Sequence, residues 1–281
     1  MVAFLLVLLA APLAAGSSQE SSTSGVTEHG FYYEARGSGP PVVLLHGFSL
    51  DSRMWDGQGA ALASRYRVIR YDLRGHGKTT APITVPFAAH DDLRDLLDDL
   101  GVQRATLVGL SMGARVAVDF ALAYPERVSG LVLAGPGLSG YVLKERPAGM
   151  DSVIVAIRAG DTRRAAEHFA ETPLMAIPWR PDAHAEMKVI VVGNAHLWGL
   201  AGSPERALDP PAIGRLSEIR VPLLVVVGAA DTPDTRRVAD TLATVKGATK
   251  AVVPNAGHMV NMAAPERFNE LLLEFLARHA P

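Results

Sequence analysis

The chain of 281 residues contains no cysteine. This absence excludes a thiol nucleophile, a disulfide framework and a cysteine-ligated metal site. The nine histidines are scattered, and none of them forms the His-x-x-x-His spacing with which a helix presents two zinc ligands. The sequence therefore predicts chemistry that uses neither a metal nor an organic cofactor.

The sequence also lacks an excess of charge of either sign. Lysine and arginine number 27, aspartate and glutamate 29, and the formal net charge is −2. No block of like charges interrupts the chain, so the electrostatic footprint of a nucleic-acid-binding protein is absent. Aromatic residues make up only 6% of the chain against 48% hydrophobic residues overall. These proportions predict a globular core of aliphatic side chains.

The N-terminus carries an apolar run without a preceding lysine or arginine. Residues 1–15 are apolar, small residues follow at Ala14-Ala15-Gly16, and residues 16–25 are rich in serine. The run is short for a membrane span and resembles a signal peptide, so we expect residues 1–25 to be a signal and tail and the protein to be periplasmic or secreted. The alternatives are a retained membrane anchor, which would add a membrane partner, or a misassigned start codon, which would leave the protein cytoplasmic.

Beyond residue 30 the chain alternates strand-like and helix-like segments, a pattern typical of a mostly parallel sheet covered by helices. Apolar runs predict strands at residues 31–35, 41–45, 66–71, 105–108, 130–134, 223–227 and 250–253. Amphipathic or helix-favouring patterns predict helices at residues 90–100, 114–123 and 265–278. The fold class is therefore α/β.

The alternation fails between residues 135 and 216, where helical patterns at 151–157, 162–171 and 181–192 are separated by prolines. We interpret residues 138–213 as a helical lid folded over the end of the sheet. The predicted organisation is a core in two parts, residues 26–137 and 214–281, with this insertion between them.

One pentapeptide predicts the reaction type. Gly109-Leu-Ser-Met-Gly113 lies between a strand-like and a helix-like segment, the context of a nucleophile elbow, in which a sharp turn exposes one serine hydroxyl. The two glycines would allow strand and helix to pack closely. The alternative is an ordinary turn serine at Ser111.

A serine nucleophile needs a base and a group that orients the base. Asp231 follows the predicted strand 223–227, and His258 follows the strand 250–253. The order serine, acid, histidine at successive strand ends is that of an α/β-hydrolase triad. Asp231 could instead cap a helix, Asp234 is a rival acid, and His258 could be a structural loop histidine.

An oxyanion hole completes the predicted site. His46-Gly47-Phe48 follows the strand 41–45, and the backbone N–H groups of Phe48 and Met112 would converge on the developing alkoxide. We expect His46 to brace this loop rather than to act as a base.

Together with Arg74-Gly-His-Gly77, these motifs resemble those of the serine α/β-hydrolases, in particular small lidded esterases, enol-lactonases and cofactor-free haloperoxidases. The resemblance spans about residues 31–278. It implies an eight-stranded, mostly parallel sheet, Ser111 as nucleophile, Asp231 as acid and His258 as general base. Members resembling dehalogenases and epoxide hydrolases carry aspartate at the elbow, so Ser111 favours acyl chemistry.

The expected activity is hydrolysis of a small or medium, largely apolar ester or lactone through an acyl-enzyme. Candidate substrate contacts are Trp179, His196, Trp198 and Met259. The same triad could instead cleave carbon–carbon or amide bonds or carry out perhydrolysis, and the fold could serve as a ligand receptor. The oligomeric state is not encoded in any visible pattern.

Overall fold

A computed structural model describes residues 22–200, 202 and 204–279. The strands in chain order are β1 (Ser22–Val26), β2 (Tyr32–Arg36), β3 (Pro41–Leu45), β4 (Arg67–Tyr71), β5 (Ala105–Leu110), β6 (Val128–Ala134), β7 (Leu223–Gly228) and β8 (Thr249–Val253). They form one eight-stranded sheet in the order β1-β2-β4-β3-β5-β6-β7-β8. The pairs β1–β2 and β2–β4 are antiparallel and the remaining pairs are parallel. The predicted eight-stranded, mostly parallel α/β sheet is confirmed.

Helices connect and cover the strands. They are α1 (Asp56–Leu62), α2 (Ala89–Asp99), α3 (Met112–Ala123), α4 (Met150–Arg158), α5 (Thr162–Ala170), α6 (Pro181–Gly193), α7 (Pro233–Leu242), α8 (Val260–Ala263) and α9 (Pro265–His279). No helix within the described part of the chain combines the length and the apolar character needed to cross a membrane.

The buried side chains form two clusters, one on each face of the sheet. In β3, Val43 and Leu45 belong to one cluster and Val42 and Leu44 to the other, because successive side chains of a strand point to opposite faces. The first cluster includes buried residues of α2, α3 and α7, and the second includes those of α9. A strand buried on both faces must be apolar throughout, which explains the continuous apolar runs in the sequence.

Strand β1 is the strand that the sequence analysis missed. Its residues Ser22–Val26 are mostly exposed and pair with β2 alone, at the edge of the sheet. An edge strand facing water needs no apolar alternation, so its sequence looked like part of the serine-rich tail. The ordered sheet thus begins at Ser22, before the predicted boundary at residue 26. The rest of the predicted signal segment, residues 1–21, lies outside the described residues.

Helices α4, α5 and α6 form an insertion between β6 and β7. Their buried side chains, including Val153, Phe169 and Met187, join the same cluster as Val42 and Leu44 of the sheet. The buried side chains of the insertion are therefore continuous with the core of the sheet.

A buried asparagine ties the C-terminal end of this insertion to the core. Asn194, directly after α6, is 1% exposed. Its amide nitrogen donates to Asp51 Oδ2 (3.2 Å) and to Ile190 O (3.0 Å), and its Oδ1 accepts from the Gly77 N–H (2.7 Å). The contact joins the insertion to the loops that follow β3 and β4.

Candidate active site

Ser111 occupies a strained turn between β5 and α3. Its φ is +54° and its ψ −110°, a left-handed conformation rare for a residue with a side chain. The flanking glycines are required sterically: a Cβ at Gly109 would lie 2.4 Å from the Gly113 carbonyl carbon, and one at Gly113 would lie 2.2 Å from the Leu45 carbonyl oxygen. The predicted elbow geometry is present.

Asp231 and His258 come together from the ends of β7 and β8. Nδ1 of His258 lies 3.1 Å from both carboxylate oxygens of Asp231, and both residues are buried. Asp231 Oδ1 also accepts the Thr232 N–H at 2.7 Å. Helix α7 is capped by Thr232, whose side chain accepts from the Thr235 N–H. Asp231 therefore faces the histidine and does not serve as the helix cap.

The second ring nitrogen of His258, Nε2, is not engaged by Asp231. No residue in the described ranges, Ser111 included, hydrogen-bonds Nε2 of His258 in this structure. Catalytic hydrogen bonds are often long before substrate binds, so this geometry leaves the role of general base open to His258.

The segment at the end of β6 contacts both the turn at Ser111 and the pair formed by His258 and Asp231. The Ser111 N–H donates to Ala134 O (3.0 Å), and the Gly137 N–H donates to Ser111 O (3.1 Å). Gly135, with φ +44°, sits so close to the other half that a Cβ would lie 3.1 Å from His258 Nδ1 and 3.2 Å from Asp231 Oδ2. The elbow and the His–Asp pair are thus held on one short stretch of backbone.

The loop after β3 packs directly on the elbow. A Cβ at Gly113 would lie 2.7 Å from His46 O, and one at Gly47 would lie 3.0 Å from a Leu110 methyl carbon. Among the described residues, no acceptor is found for the N–H of Phe48 or of Met112, the first residue of α3. Two N–H groups without a described acceptor, one of them on the residue after Ser111, are the kind of donor that an oxyanion hole requires.

Two further histidines support this loop through the backbone. His46 Nδ1 bonds Gly47 O (2.8 Å) and its Nε2 accepts the Leu73 N–H (2.9 Å), which fixes the neutral tautomer. His76 Nδ1 bonds Arg74 O (3.0 Å), and its Nε2 accepts the Ser49 N–H (3.4 Å). Burial lowers the pKa of His46 to about 4 and that of His76 to about 3. The structure therefore confirms His46 as a bracing residue.

The rival acid Asp234 is engaged elsewhere. Its oxygens accept from the Tyr141 hydroxyl (2.7 Å), from the N–H groups of Lys144 and Glu145 (2.9 Å each) and from Arg237 (2.8 Å). The Tyr141 hydrogen bond leads the effects that lower the pKa of Asp234 to about 2. Asp234 anchors the loop that enters the insertion.

Two cavities reach the site. Cavity A, of about 260 Å³, is lined by Phe48 and Met112 of the elbow region and otherwise mostly by buried and half-buried residues. Cavity B, of about 300 Å³, meets the His–Asp pair at His258 and Asp231 and is bordered by the exposed loop 143–148. Each cavity is of the size that binds part of a small ligand.

The structure places the four predicted substrate contacts in different surroundings. Trp198 packs its ring on Phe48 (5.2 Å between centroids), close to cavity A, although its side chain does not line that cavity. Met259 is fully buried. His196 bonds Gly75 O through Nε2 (2.8 Å). Trp179 is 76% exposed and lines neither cavity, so the structure does not support it as a substrate contact.

The sequence analysis assigned no place in the site to the charged residues that line cavity A. Arg74 forms a two-point ion pair with Asp92 (2.7 and 2.8 Å), and Arg115 pairs with Glu205 (2.7 Å). Arg115 lies four residues after Ser111, one helical turn along α3, and this spacing was the signal available in the sequence. The carboxylates come from distant segments that only the fold brings near. Across the described ranges, no cluster of three metal-ligating side chains is found.

Comparison with known proteins settles the family. The Alpha/beta hydrolase family matches residues 42–271 of this chain. The chain belongs to the alpha/beta hydrolase family. This alpha/beta hydrolase is 30% identical over 263 residues to a Bacillus subtilis (strain 168) protein provisionally named 2-succinyl-6-hydroxy-2,4-cyclohexadiene-1-carboxylate synthase, which covers 88% of this chain and 95% of the relative.

Solved structures give the same family for this alpha/beta hydrolase. Est816, described as an N-acyl homoserine lactone degrading enzyme, superposes with a TM-score of 0.71 at 30% identity, covering 87% of this chain and 96% of its own. A thermophilic esterase from Thermogutta terrifontis superposes with a TM-score of 0.70 at 29% identity, covering 92% and 98%. The resemblance predicted from the motifs is therefore confirmed.

Proposed function

We propose that this alpha/beta hydrolase cleaves a small or medium, largely apolar ester or lactone through an acyl-enzyme on Ser111, with His258 as general base and Asp231 as its orienting acid. The observation that carries the proposal is the pairing of His258 with Asp231 at 3.1 Å beside the strained elbow of Ser111. Relatives named as an esterase and a lactone-degrading enzyme support the choice of bond.

In the proposed cycle, Ser111 Oγ attacks the ester carbonyl carbon while Nε2 of His258 takes its proton. The carbonyl oxygen becomes an alkoxide that accepts hydrogen bonds from the N–H groups of Phe48 and Met112. The C–O bond to the alcohol breaks, and His258 returns the proton to the departing oxygen. His258 then takes a proton from water, whose oxygen attacks the acyl carbon; the bond to Ser111 Oγ breaks as His258 returns that proton to Oγ, and the acid is released.

Asp231 has an electrostatic and a positional part in this cycle. By accepting from Nδ1–H of His258, it holds the ring in the tautomer whose Nε2 is free to accept a proton, and it stabilises the imidazolium that forms. The Thr232 N–H on Oδ1 and the close approach of Gly135 fix the carboxylate itself. Each proton transferred in the cycle has a partner among these residues.

The test is hydrolysis of p-nitrophenyl esters from acetate to octanoate by the purified chain and by Ser111→Ala at equal concentration. We expect chain-length-dependent activity in the wild type and a loss of about 10,000-fold in the variant. The control is an unchanged melting temperature, because Ser111 is half-buried and its hydroxyl has no described partner. Activity that survives Ser111→Ala would overturn the mechanism.

Covalent labelling separates the remaining alternatives. A fluorophosphonate that modifies Ser111 in a protein inert to all simple esters would show a competent nucleophile with another substrate, such as an amide or a carbon–carbon bond. Absence of both labelling and turnover, together with tight binding of a small ligand, would favour a receptor.

A further inference from the structure

Phe48, which carries one of the two N–H groups proposed for the oxyanion hole, has its side chain against the insertion. Its ring lies edge-to-face on those of Trp198 and Phe169, with 5.2 and 6.3 Å between centroids and interplanar angles of 80° and 74°. The rings of Trp198 and Phe169 lie 4.9 Å apart. Edge-to-face packing is a preferred arrangement of aromatic side chains. We call this cluster of three rings the aromatic clamp.

The two clamp residues of the insertion lie behind Phe48 and not beside the substrate. Phe169, in α5, is buried, and Trp198 follows α6 in the chain. Phe48 lines cavity A, whereas neither Phe169 nor Trp198 lines cavity A or cavity B. These two rings therefore act on a substrate in either cavity only through Phe48.

The backbone that follows Phe48 depends on support from outside the turn. Ser49 has φ +62°, a left-handed conformation that is unfavourable for a residue with a side chain. The Ser49 N–H donates to His76 Nε2 over 3.4 Å. The Leu50 N–H donates to Gly47 O over 3.2 Å, so both hydrogen bonds are at the long end of the usual range. Packing on the Phe48 ring is therefore an important restraint on this turn.

The position of the Phe48 N–H matters because an oxyanion hole works over a narrow distance. A donor must lie about 2.7–3.1 Å from the place that the oxyanion will occupy, and loss of one donor costs about 100- to 1,000-fold in kcat. A donor that is present but poorly directed should cost less than a missing one. Residues that hold Phe48 without touching the substrate would then affect the rate and leave binding intact.

We propose, building on the function above, that Trp198 and Phe169 are positioning residues for the oxyanion hole. Their rings hold the ring of Phe48, and the backbone N–H of Phe48 is thereby directed at the alkoxide. Trp198 and Phe169 contact neither the substrate nor the reacting atoms. The insertion therefore contributes to the chemical step itself.

The first test replaces Trp198 and measures kcat and KM for p-nitrophenyl butyrate. Trp198→Leu should lower kcat by about 10- to 100-fold, short of the loss of a whole donor, and change KM by less than about threefold. Trp198→Phe keeps an aromatic ring against Phe48 and should recover most of the activity. Trp179→Leu is the matched control, the same replacement at an exposed tryptophan of the insertion, and should change neither constant.

A thiono ester distinguishes a misdirected donor from a general loss of structure. In p-nitrophenyl thionobutyrate a sulfur replaces the carbonyl oxygen, and sulfur accepts hydrogen bonds weakly. The wild type should therefore cleave the oxygen ester much faster, and Trp198→Leu should lower this oxygen-to-sulfur ratio of kcat/KM about tenfold or more. If Trp198→Leu folds poorly, Phe169→Leu removes the second ring of the clamp and should shift the ratio in the same direction.

The outcomes distinguish this inference from the function it rests on. If Trp198→Leu slows both esters equally, raises KM alone or changes nothing, the clamp does not position the Phe48 N–H, while the esterase stands. A wild type that cleaves both esters equally well would overturn the inference too, because it would have no working oxyanion hole. If no ester is cleaved, or cleavage survives Ser111→Ala, the proposed function itself fails.

Discussion

Three histidines near the site, His46, His76 and His258, are all buried. They differ in their hydrogen-bond partners, and this difference distinguishes the two structural histidines from the proposed catalytic one. Both ring nitrogens of His46 and of His76 bond backbone groups. His258 bonds a carboxylate with Nδ1, and no described residue occupies its Nε2. Burial alone therefore does not mark a catalytic histidine: one nitrogen must be oriented and the other left for the substrate.

The largest expected effect on activity comes from replacing the proposed catalytic histidine, and replacing a structural histidine gives the contrast. His258→Gln should lower kcat for p-nitrophenyl butyrate by about 10,000-fold with the melting temperature nearly unchanged, because Gln cannot relay a proton. His46→Ala should destabilise the fold by about 2 kcal/mol, because it leaves the buried Leu73 N–H unpaired, and should lower activity per folded molecule far less. Urea unfolding and steady-state kinetics on both variants measure the contrast, and equal activity losses would erase it.

The pH dependence of stability sharpens the comparison. The folded-state pKa values of His46 and His76, about 4 and about 3, lie below the ordinary value of 6.5 because burial outweighs the nearby Asp51 and Asp72. The unfolded chain therefore binds more protons, so their contribution is complete above pH 6.5 and is lost as the pH falls from 6.5 towards the folded values.

Between pH 7 and pH 5 we expect a loss of about 1–2 kcal/mol in the free energy of unfolding for each of these histidines. Urea titrations at half-unit steps measure it, and His46→Ala should reduce the slope of the curve. A wild-type stability that is flat over this interval would mean that the two rings are not held neutral.

The smallest expected effect concerns the exposed tryptophan of the insertion. Trp179→Ala should change both kcat/KM and the free energy of unfolding only slightly, within about 0.5 kcal/mol, because most of its side chain is in water. A loss of tenfold or more in kcat/KM would restore Trp179 as a substrate contact.

The sequence predicted the central sheet well because β3, β5, β6 and β7 are buried on both faces and are therefore largely apolar. The elbow was predictable for a similar reason: a Cβ at Gly109 or Gly113 would collide with backbone, so the glycines are visible in the sequence. Both features depend on local constraints that leave a mark on the residues themselves.

Other features leave no such mark. Strand β1 pairs along one edge only and is mostly exposed, so its composition was free to resemble a tail. The direction in which Trp179 points, and the meeting of Arg115 with Glu205, depend on how the insertion packs on the core. The roles of Ser111, Asp231 and His258 stay predictions until the variants are measured.

The buried amide of Asn194 has a consequence for how substrate would enter and product would leave. Swinging the C-terminal end of the insertion away from the core would expose the Gly77 N–H and the Asp51 carboxylate at the cost of two hydrogen bonds. The opposite end, at the loop 143–148, is fastened in a comparable way, because the N–H groups of Lys144 and Glu145 both donate to the buried Asp234 carboxylate. Both ends of the insertion are therefore tied to the core, and we expect substrate to enter and product to leave with both ends in place.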